Sequence, residues 1–368
     1  MTENLDELFM RRCLTLARQA LGRTSPNPLV GAVVLDAAGN PVGEGFHAKA
    51  GQAHAEVLAL EKAGESARGG TLYVNLEPCS HFGRTPPCAD RVIASGIKRV
   101  VVGVRDPNPL VAGQGLARLK DAGIELSFST LEKECLEINR AFFKHVSSGL
   151  PWLTLKLACT LDGRIADRYG HSKWISGTEA RKFVHEQRNI YDCVLVGGST
   201  AVLDDPELNV REIADSRDPH RAVIDPELKL SPEARLCRHA EGASSWTAIF
   251  CNADRTSLAS NFPNAVRIVS LPDTDEESEL LYALSWLGRK GVQSVFCEGG
   301  GRLAAALLEE GLVDEVCWII APAFFSDSDA VPALSGTQTR PVESLLKLSG
   351  VSYRQLGDDM LVCGRLSN

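Results

Sequence analysis

The stretch Ser147-Ser148-Gly149-Leu150-Pro151 divides this chain, because small flexible residues followed by proline neither prolong a helix nor begin a strand ladder. Strand and helix signals alternate on both sides of it. Ahead of it, Leu5, Leu8, Phe9, Leu16, Ala17 and Ala20 recur at helical spacing, with Asn4 and Glu7 as a capping pair. The β-branched run Leu29–Leu35 turns at Gly39-Asn40 and returns through Val42–Phe46 as a hairpin. Helix His54–Ala63, strand Leu72–Leu76, helix Cys88–Ala94, strand Arg99–Val104 and a helix near Leu116–Ala122 follow. Ser129 with Glu132 then opens one helix that ends before Ser147. After the divide come strand Leu153–Ala158, helix Glu179–Gln187 and strands Cys193–Val196, Arg221–Ile224, Ala248–Cys251 and Ser294–Cys297. Helix Leu303–Glu310 and a strand-rich end complete the pattern, with Asp273–Glu279 as an acidic loop. Such alternation implies sheets covered by helices, so the expected fold is α/β in two domains, 1–149 and 150–368. The length of 368 residues agrees, since a single core rarely grows so large.

Composition narrows the function. No apolar run approaches the roughly 18 residues of a membrane span, and MTENLDELFMRRC lacks a secretory apolar core, so a soluble cytoplasmic protein with no membrane partner is expected. The 11 cysteines are mostly scattered singly through apolar stretches, as in YDCVLVGG and MLVCGR, which suits buried thiols better than a disulfide framework. A net charge of −8 argues against a dedicated nucleic-acid binder, though one phosphate in a local basic pocket remains compatible.

The densest chemistry lies in His54-Ala55-Glu56, Pro78-Cys79 and Cys88, a form of the H-x-E…P-C-x-x-C deaminase signature. One imidazole and two thiolates leave the fourth corner of a tetrahedral Zn2+ open for water, whose pKa the metal lowers towards ~7. Glu56 is then spare as the proton carrier. Cys88 follows Pro86-Pro87 at a helix start, where the dipole favours thiolate. Eight residues separate Cys79 from Cys88 instead of two, so the insert must loop out. A closed structural zinc site with His81 as fourth ligand is the competing reading.

Taken together, Thr24-Ser25-Pro26-Asn27-Pro28-Leu29-Val30-Gly31, Gly45-Phe46-His47, HAE, EPCSHFGRTPPC and Asp106-Pro107-Asn108-Pro109 resemble the deaminase domain of the bifunctional deaminase–reductase family of riboflavin biosynthesis. The resemblance continues through Lys156-Leu157-Ala158, Asp162-Gly163-Arg164, Ser172-Lys173-Trp174-Ile175-Ser176, GGSTAVLDDPELNVR and Glu298-Gly299-Gly300-Gly301. It implies a cytidine-deaminase-like α/β/α domain followed by a dihydrofolate-reductase-like α/β domain. It also implies a phosphorylated pyrimidine substrate that loses its 2-amino group at zinc and has its ribosyl chain reduced with NADPH. By the same resemblance, His54, Cys79 and Cys88 hold the metal and Glu56 moves protons. Asn27 and His47 contact the ring and Arg84 the phosphate. In the reductase half, Lys156, Asp204 and Glu298 are active-site residues, and Ser172, Arg188, Leu208, Arg211 and Glu298 bind substrate. Ala158, Trp174, Thr200, Asp204, Gly300, Gly301 and Arg302 border the cofactor. A homo-oligomer, dimer or tetramer, is expected.

There is no G-x-G-x-x-G, so a dinucleotide fingerprint is no argument here. Instead, two strands run into small-residue turns, Val196 into Gly197-Gly198-Ser199-Thr200 and Cys297 into Glu298-Gly299-Gly300-Gly301-Arg302. Such turns let backbone N–H groups face an anion at a helix start. Lys156, Asp204 and Glu298 are all expected at strand ends or in the loops after them, and Trp174 serves either cofactor or core. A nucleic-acid base deaminase with an accessory domain is the main rival, opposed by the acidic charge and the superfluous second α/β half. A non-catalytic zinc scaffold is opposed by Glu56.

Overall fold

The computed structural model describes residues 4–80, 87–107, 113–128, 130–238, 245–273 and 278–366. The chain forms two compact units, Met1–Gly149 and Leu150–Asn368.

In the first unit, α1 (Leu5–Arg18), β1 (Gly31–Leu35), β2 (Pro41–Phe46), α2 (Ala55–Ala63), β3 (Thr71–Leu76), α3 (Cys88–Ala94), β4 (Arg99–Val104), α4 (Gln114–Asp121), β5 (Glu125–Phe128), α5 (Glu132–Ile138) and α6 (Arg140–Ser148) follow in order. The sheet runs β2-β1-β3-β4-β5, antiparallel from β2 to β3 and parallel from there to β5. Successive residues of β1 serve opposite cores: Ala32 and Val34 pack with the α2 and α3 side, Val33 and Leu35 with Met10 and Cys13 of α1. That double burial explains why the strand reads as an unbroken apolar run. Gly43 and Gly45 let α2 lie directly on β2, since a Cβ at Gly43 would sit 2.1 Å from the Ala59 carbonyl oxygen. The start of α2, which carries His54 and Glu56, is thereby seated on the sheet.

Several expectations need correction. Asn4 does cap α1, by accepting the Asp6 N–H at 3.2 Å, but the Glu7 carboxylate faces Arg11 at 3.9 Å. The helix expected from Ser129 to the boundary is two helices, broken at Asn139. The buried Asn139 amide accepts the Leu29 N–H at 2.8 Å and donates to the Leu29 carbonyl at 3.0 Å. Asn75 similarly accepts from Gly31 at 2.8 Å and donates to Leu29 at 2.9 Å. Two amides thus stand in for a strand partner beside the Pro26-Asn27-Pro28 segment. Ser129 itself lies outside the described residues.

The second unit contains β6 (Trp152–Thr160), β7 (Arg164–Ala166), α7 (Thr178–Ile190), β8 (Cys193–Gly197), α8 (Gly198–Asp204), β9 (His220–Ile224), α9 (Arg235–Arg238), β10 (Thr247–Cys251), β11 (Val266–Ser270), α10 (Glu279–Arg289), β12 (Ser294–Cys297), α11 (Gly301–Glu309), β13 (Glu315–Ala321), β14 (Val331–Pro332), β15 (Leu348–Leu356) and β16 (Asp359–Leu366). Nine strands form one sheet in the order β11-β10-β9-β8-β12-β6-β13-β16-β15, parallel up to β13 and antiparallel beyond. β7 and β14 make a small separate ladder. Of the expected acidic loop, residues 274–277 lie outside the described residues and Glu279 already begins α10. Asp204 ends helix α8 instead of following a strand, and Lys156 sits in the middle of β6. Glu298 does follow β12 directly.

Candidate active sites

His54 occupies the N-cap of α2 with extended backbone and makes no capping bond, so its imidazole is free to face Cys79 and Cys88. His54 Nδ1 lies 3.1 Å from Cys88 Sγ and 3.6 Å from Cys79 Sγ, and the Cys88 N–H donates to Cys79 Sγ at 3.3 Å. Donors bound to one tetrahedral zinc stand roughly 3.3–3.8 Å apart, given bond lengths of ~2.0–2.3 Å. The triad fits a single zinc ion, and among the described residues it is the one three-donor cluster of this kind. The Cys88 thiol and His54 hold the Cys79 thiol down at about 4, against its burial, while Cys88 is pushed up chiefly by Cys79. Two such close sulfurs share one negative charge unless a cation joins them.

Glu56, in the first turn of α2, is 3% exposed, and burial followed by the Cys79 charge raises its pKa to about 7. A carboxyl near neutrality both takes and returns a proton. Beside it, Asn27 Nδ2 donates to His47 Nε2 at 3.0 Å, which leaves the His47 Nδ1–H to donate to the Ala53 carbonyl at 3.1 Å. That pair of bonds fixes one neutral tautomer, and burial keeps the ring's pKa below its ordinary value. The His47 and His54 rings stand 5.4 Å apart, nearly perpendicular.

In the second unit, a cavity of about 1120 Å³ opens beside β6, β8 and β12. Arg188 from α7 forks onto Glu298, Nε to Oε1 at 2.6 Å and Nη2 to Oε2 at 3.0 Å, and donates through Nη1 to the Asn209 carbonyl at 3.1 Å. Burial would raise the Glu298 pKa, but Arg188 and then Lys156 reverse this and hold it low. Burial lowers Lys156, with Glu298 opposing. Ser172 Oγ donates to Asp204 Oδ1 at 3.0 Å and Lys173 Nζ to the Asp204 carbonyl at 2.9 Å. The first turn of α8 meets the N-cap of α11, since a Cβ at Gly300 would lie 3.0 Å from Thr200 Oγ1. The N-cap of α11 is Gly300, with no side chain on the first N–H groups, and Arg302 Nη2 donates to Ser199 Oγ at 3.3 Å. Open N–H groups beside a guanidinium suit the phosphates of a dinucleotide.

Residues 3–104 match the cytidine and deoxycytidylate deaminase zinc-binding region, and residues 151–362 match the RibD C-terminal domain. The riboflavin biosynthesis protein RibD of Aquifex aeolicus is 40% identical over 98% of this chain and 99% of its own length. The chain belongs to the RibD family. RibD of Escherichia coli is 41% identical over 90% of this chain and 92% of its own. The fold agrees with Acinetobacter baumannii RibD at a TM-score of 0.88 and 35% identity, covering 99% of both chains. It also agrees with the diaminohydroxyphosphoribosylaminopyrimidine deaminase/5-amino-6-(5-phosphoribosylamino)uracil reductase of Thermotoga maritima at 0.87 and 36%, again over 99% of both. As a RibD, the chain is a bifunctional deaminase and reductase of riboflavin biosynthesis whose cofactors are zinc and NADPH. Its first domain is cytidine-deaminase-like, followed by the RibD reductase domain, both mixed α/β.

Against that RibD background, the structure gathers Lys156, Ala158, Ser172, Trp174, Arg188, Thr200, Asp204, Leu208, Arg211, Glu298, Gly300, Gly301 and Arg302 around one cavity. Trp174 is 69% exposed beneath the Arg181 guanidinium, 4.7 Å from its ring, so the core-packing alternative for it fails. Arg84 and His81 lie outside the described residues, as do Asn108 and Pro109. Two residues escaped the sequence reading. His185, one turn before Arg188, accepts the Arg211 N–H at 3.3 Å, and the helical spacing of Arg181, His185 and Arg188 was the available signal. Buried Glu77 accepts N–H groups from Asp106, Gly113 and Leu116 at 3.2–3.4 Å, tying the segment before α4 to the strand that leads into Cys79. No sequence signal marks that role.

Proposed function

We propose that residues 1–149 deaminate 2,5-diamino-6-ribosylamino-4(3H)-pyrimidinone 5′-phosphate and that residues 150–368 then reduce its ribosyl chain to ribityl. The observation that carries this division is the pairing, within one chain, of a three-donor metal set beside buried Glu56 with a separate cavity where Lys156, Arg188 and Glu298 converge. Bound zinc supplies a Lewis acid that makes water nucleophilic near neutral pH. Glu56 takes the proton of the attacking water and delivers it to the ring nitrogen and then to the departing ammonia. His47, kept neutral by burial and oriented by the Ala53 carbonyl, and Asn27 orient the pyrimidine ring, and Arg84 receives the phosphate.

In the second unit NADPH supplies the reducing equivalents. Lys156, with its lowered pKa, donates a proton to the ribose ring oxygen as the ring opens to the imine. Glu298 holds the charge opposite Lys156 and Arg188 fixes it in place. Ser172, Leu208 and Arg211 seat the sugar phosphate, while Ala158, Trp174, Thr200, Asp204 and Gly300–Arg302 hold the cofactor against it. We also assign a cytoplasmic location, no nucleic-acid partner and a homo-oligomer, supported by β15 at the sheet end with Tyr353 72% exposed. Among the described residues, no helix is long and apolar enough to cross a membrane. The test follows ammonia release and NADPH oxidation on the phosphorylated pyrimidine. A chelator should stop ammonia release yet spare NADPH oxidation on the deaminated compound. Loss of both together would refute the division of labour.

A further inference from the structure

Beyond these two sites, a pair of thiols adjoins the reductase cavity. Registered residues on neighbouring strands place their side chains on the same sheet face. Lys156 of β6 is registered with Cys317 of β13, and Cys317 is registered with Cys363 of β16. Glu298 follows Cys297, which is registered with Leu155, the residue before Lys156. The two cysteines thus continue, away from the cavity, the row that begins at the Glu298–Lys156 site.

Their sulfurs lie 3.1 Å apart, and neither is in a disulfide. Cys317 is buried at 6% exposure, while Cys363 is half-buried near the sheet end. The Cys317 thiol, as hydrogen-bond partner, holds the Cys363 pKa below its ordinary value, against burial. Cys363 is therefore the more nucleophilic and more accessible of the two, and Cys317 is its resolving neighbour. When the pair ionises, its one negative charge is shared across the 3.1 Å S···S contact, and the part borne by Cys317 favours the ammonium of its registered neighbour Lys156. No step of deamination or reduction uses either sulfur.

We propose that Cys317 and Cys363 are a redox-active dithiol, oxidised to a cross-strand disulfide by a small disulfide or a peroxide, and that its state sets the reductase rate through Lys156. With a small disulfide, the Cys363 thiolate attacks one sulfur and expels a small thiolate, which takes the Cys317 proton. Cys317 then attacks Cys363 Sγ and expels the second small thiol. Two protein thiols lose two electrons and two protons, and the small disulfide is reduced to two thiols. With hydrogen peroxide, the O–O bond breaks to give a Cys363 sulfenic acid, from which Cys317 displaces water, so that two waters form in all. The disulfide can neither donate a proton nor carry charge, so Lys156 loses an acidic neighbour.

The coupling to rate rests on the role proposed for Lys156, whereas the dithiol does not. The experiment equilibrates zinc-loaded, full-length protein with glutathione buffers of graded oxidised fraction. Peptide mapping should then find Cys317 linked to Cys363. NADPH oxidation on the deaminated pyrimidine should fall about threefold and recover with dithiothreitol. Ammonia release should hold steady. Cys363→Ser should abolish both the link and the sensitivity while keeping reduced-state activity. Phenylarsine oxide, which bridges adjacent dithiols, should bind the wild type stoichiometrically at this pair and supplies a readout that needs no variant. Absence of the link in oxidising buffer, together with no arsenical bridging, overturns the dithiol. A link without a rate change overturns the coupling to Lys156. A reduced enzyme with no NADPH oxidation at all would count against the reductase assignment and leave the mapped link standing.

Discussion

Arg188 holds Glu298 by two parallel hydrogen bonds while its remaining Nη1 reaches the Asn209 carbonyl, so one guanidinium ties α7 to both the strand end and the loop that carries Asn209. The two side chains are only 12% and 9% exposed, which makes the fork more demanding than a surface pair. Arg188→Lys keeps the charge but loses the fork. The KM for the deaminated pyrimidine should rise about tenfold, the equivalent of one lost charge-assisted bond. Steady-state kinetics check this, and an unchanged KM would reduce the pair to a structural clip.

Glu56→Gln should retain one zinc per chain and lose deamination by about 10²–10⁴-fold, the usual contribution of a general acid–base group. Cys79→Ser should lose metal and deamination together. Metal analysis alongside ammonia release separates the two. Deamination within a few-fold of wild type in Glu56→Gln would sink the proton-carrier role.

Asp204→Asn tests the end of α8. Its carboxylate accepts from Ser172, so the variant preserves size and removes charge at the cavity edge. NADPH oxidation should slow strongly and ammonia release should persist. If the residue merely secures the turn, both activities would survive in the folded fraction at a cost of about 1 kcal/mol in stability.

His220 gives the second unit a pH signature. Its ring stacks on Trp246 at 4.2 Å, and its Nδ1 accepts the Trp246 N–H at 3.2 Å. Burial first, then Arg217, Arg267 and Arg221, lower its pKa from 6.5 to about 4. The folded state therefore resists a proton that the unfolded state accepts. Stability is complete above about pH 6.5 and declines as pH falls towards 4, by up to about 3 kcal/mol. His220→Phe should flatten the urea-midpoint profile over that window. An identical slope in wild type and variant would place the acid sensitivity elsewhere.

A fragment of residues 1–147 should fold and bind zinc, because each unit has its own buried clusters. Circular dichroism and metal content check it. An unfolded fragment in the presence of zinc would mean that the halves are one cooperative body.

The zinc triad was legible because its parts are local: an H-x-E at one helix start and a Cys at another need only those helices to be recognised. The cavity was legible largely through motif resemblance, as Lys156 in mid-strand shows, since periodicity alone assigns it to a sheet face and nothing more. Asn139 illustrates what was hidden. Its amide is committed to Leu29, 110 residues away, and no local pattern announces such a debt. Glu77 escaped for the same reason, spending its carboxylate on distant backbone. The short strand β5 and helix α10 went unread beside stronger neighbours.

The Asn139 clasp also has a temporal meaning. During synthesis the ribosome releases Leu29 long before Asn139, at about 5–20 residues per second. For that interval the segment carrying Asn27 has Asn75 but not its second amide partner. The loop that carries Asn27 is thus finished by one of the last parts of the first unit to emerge, and a nascent chain stalled short of Asn139 would present His54, Cys79 and Cys88 beside a loop that is not yet settled.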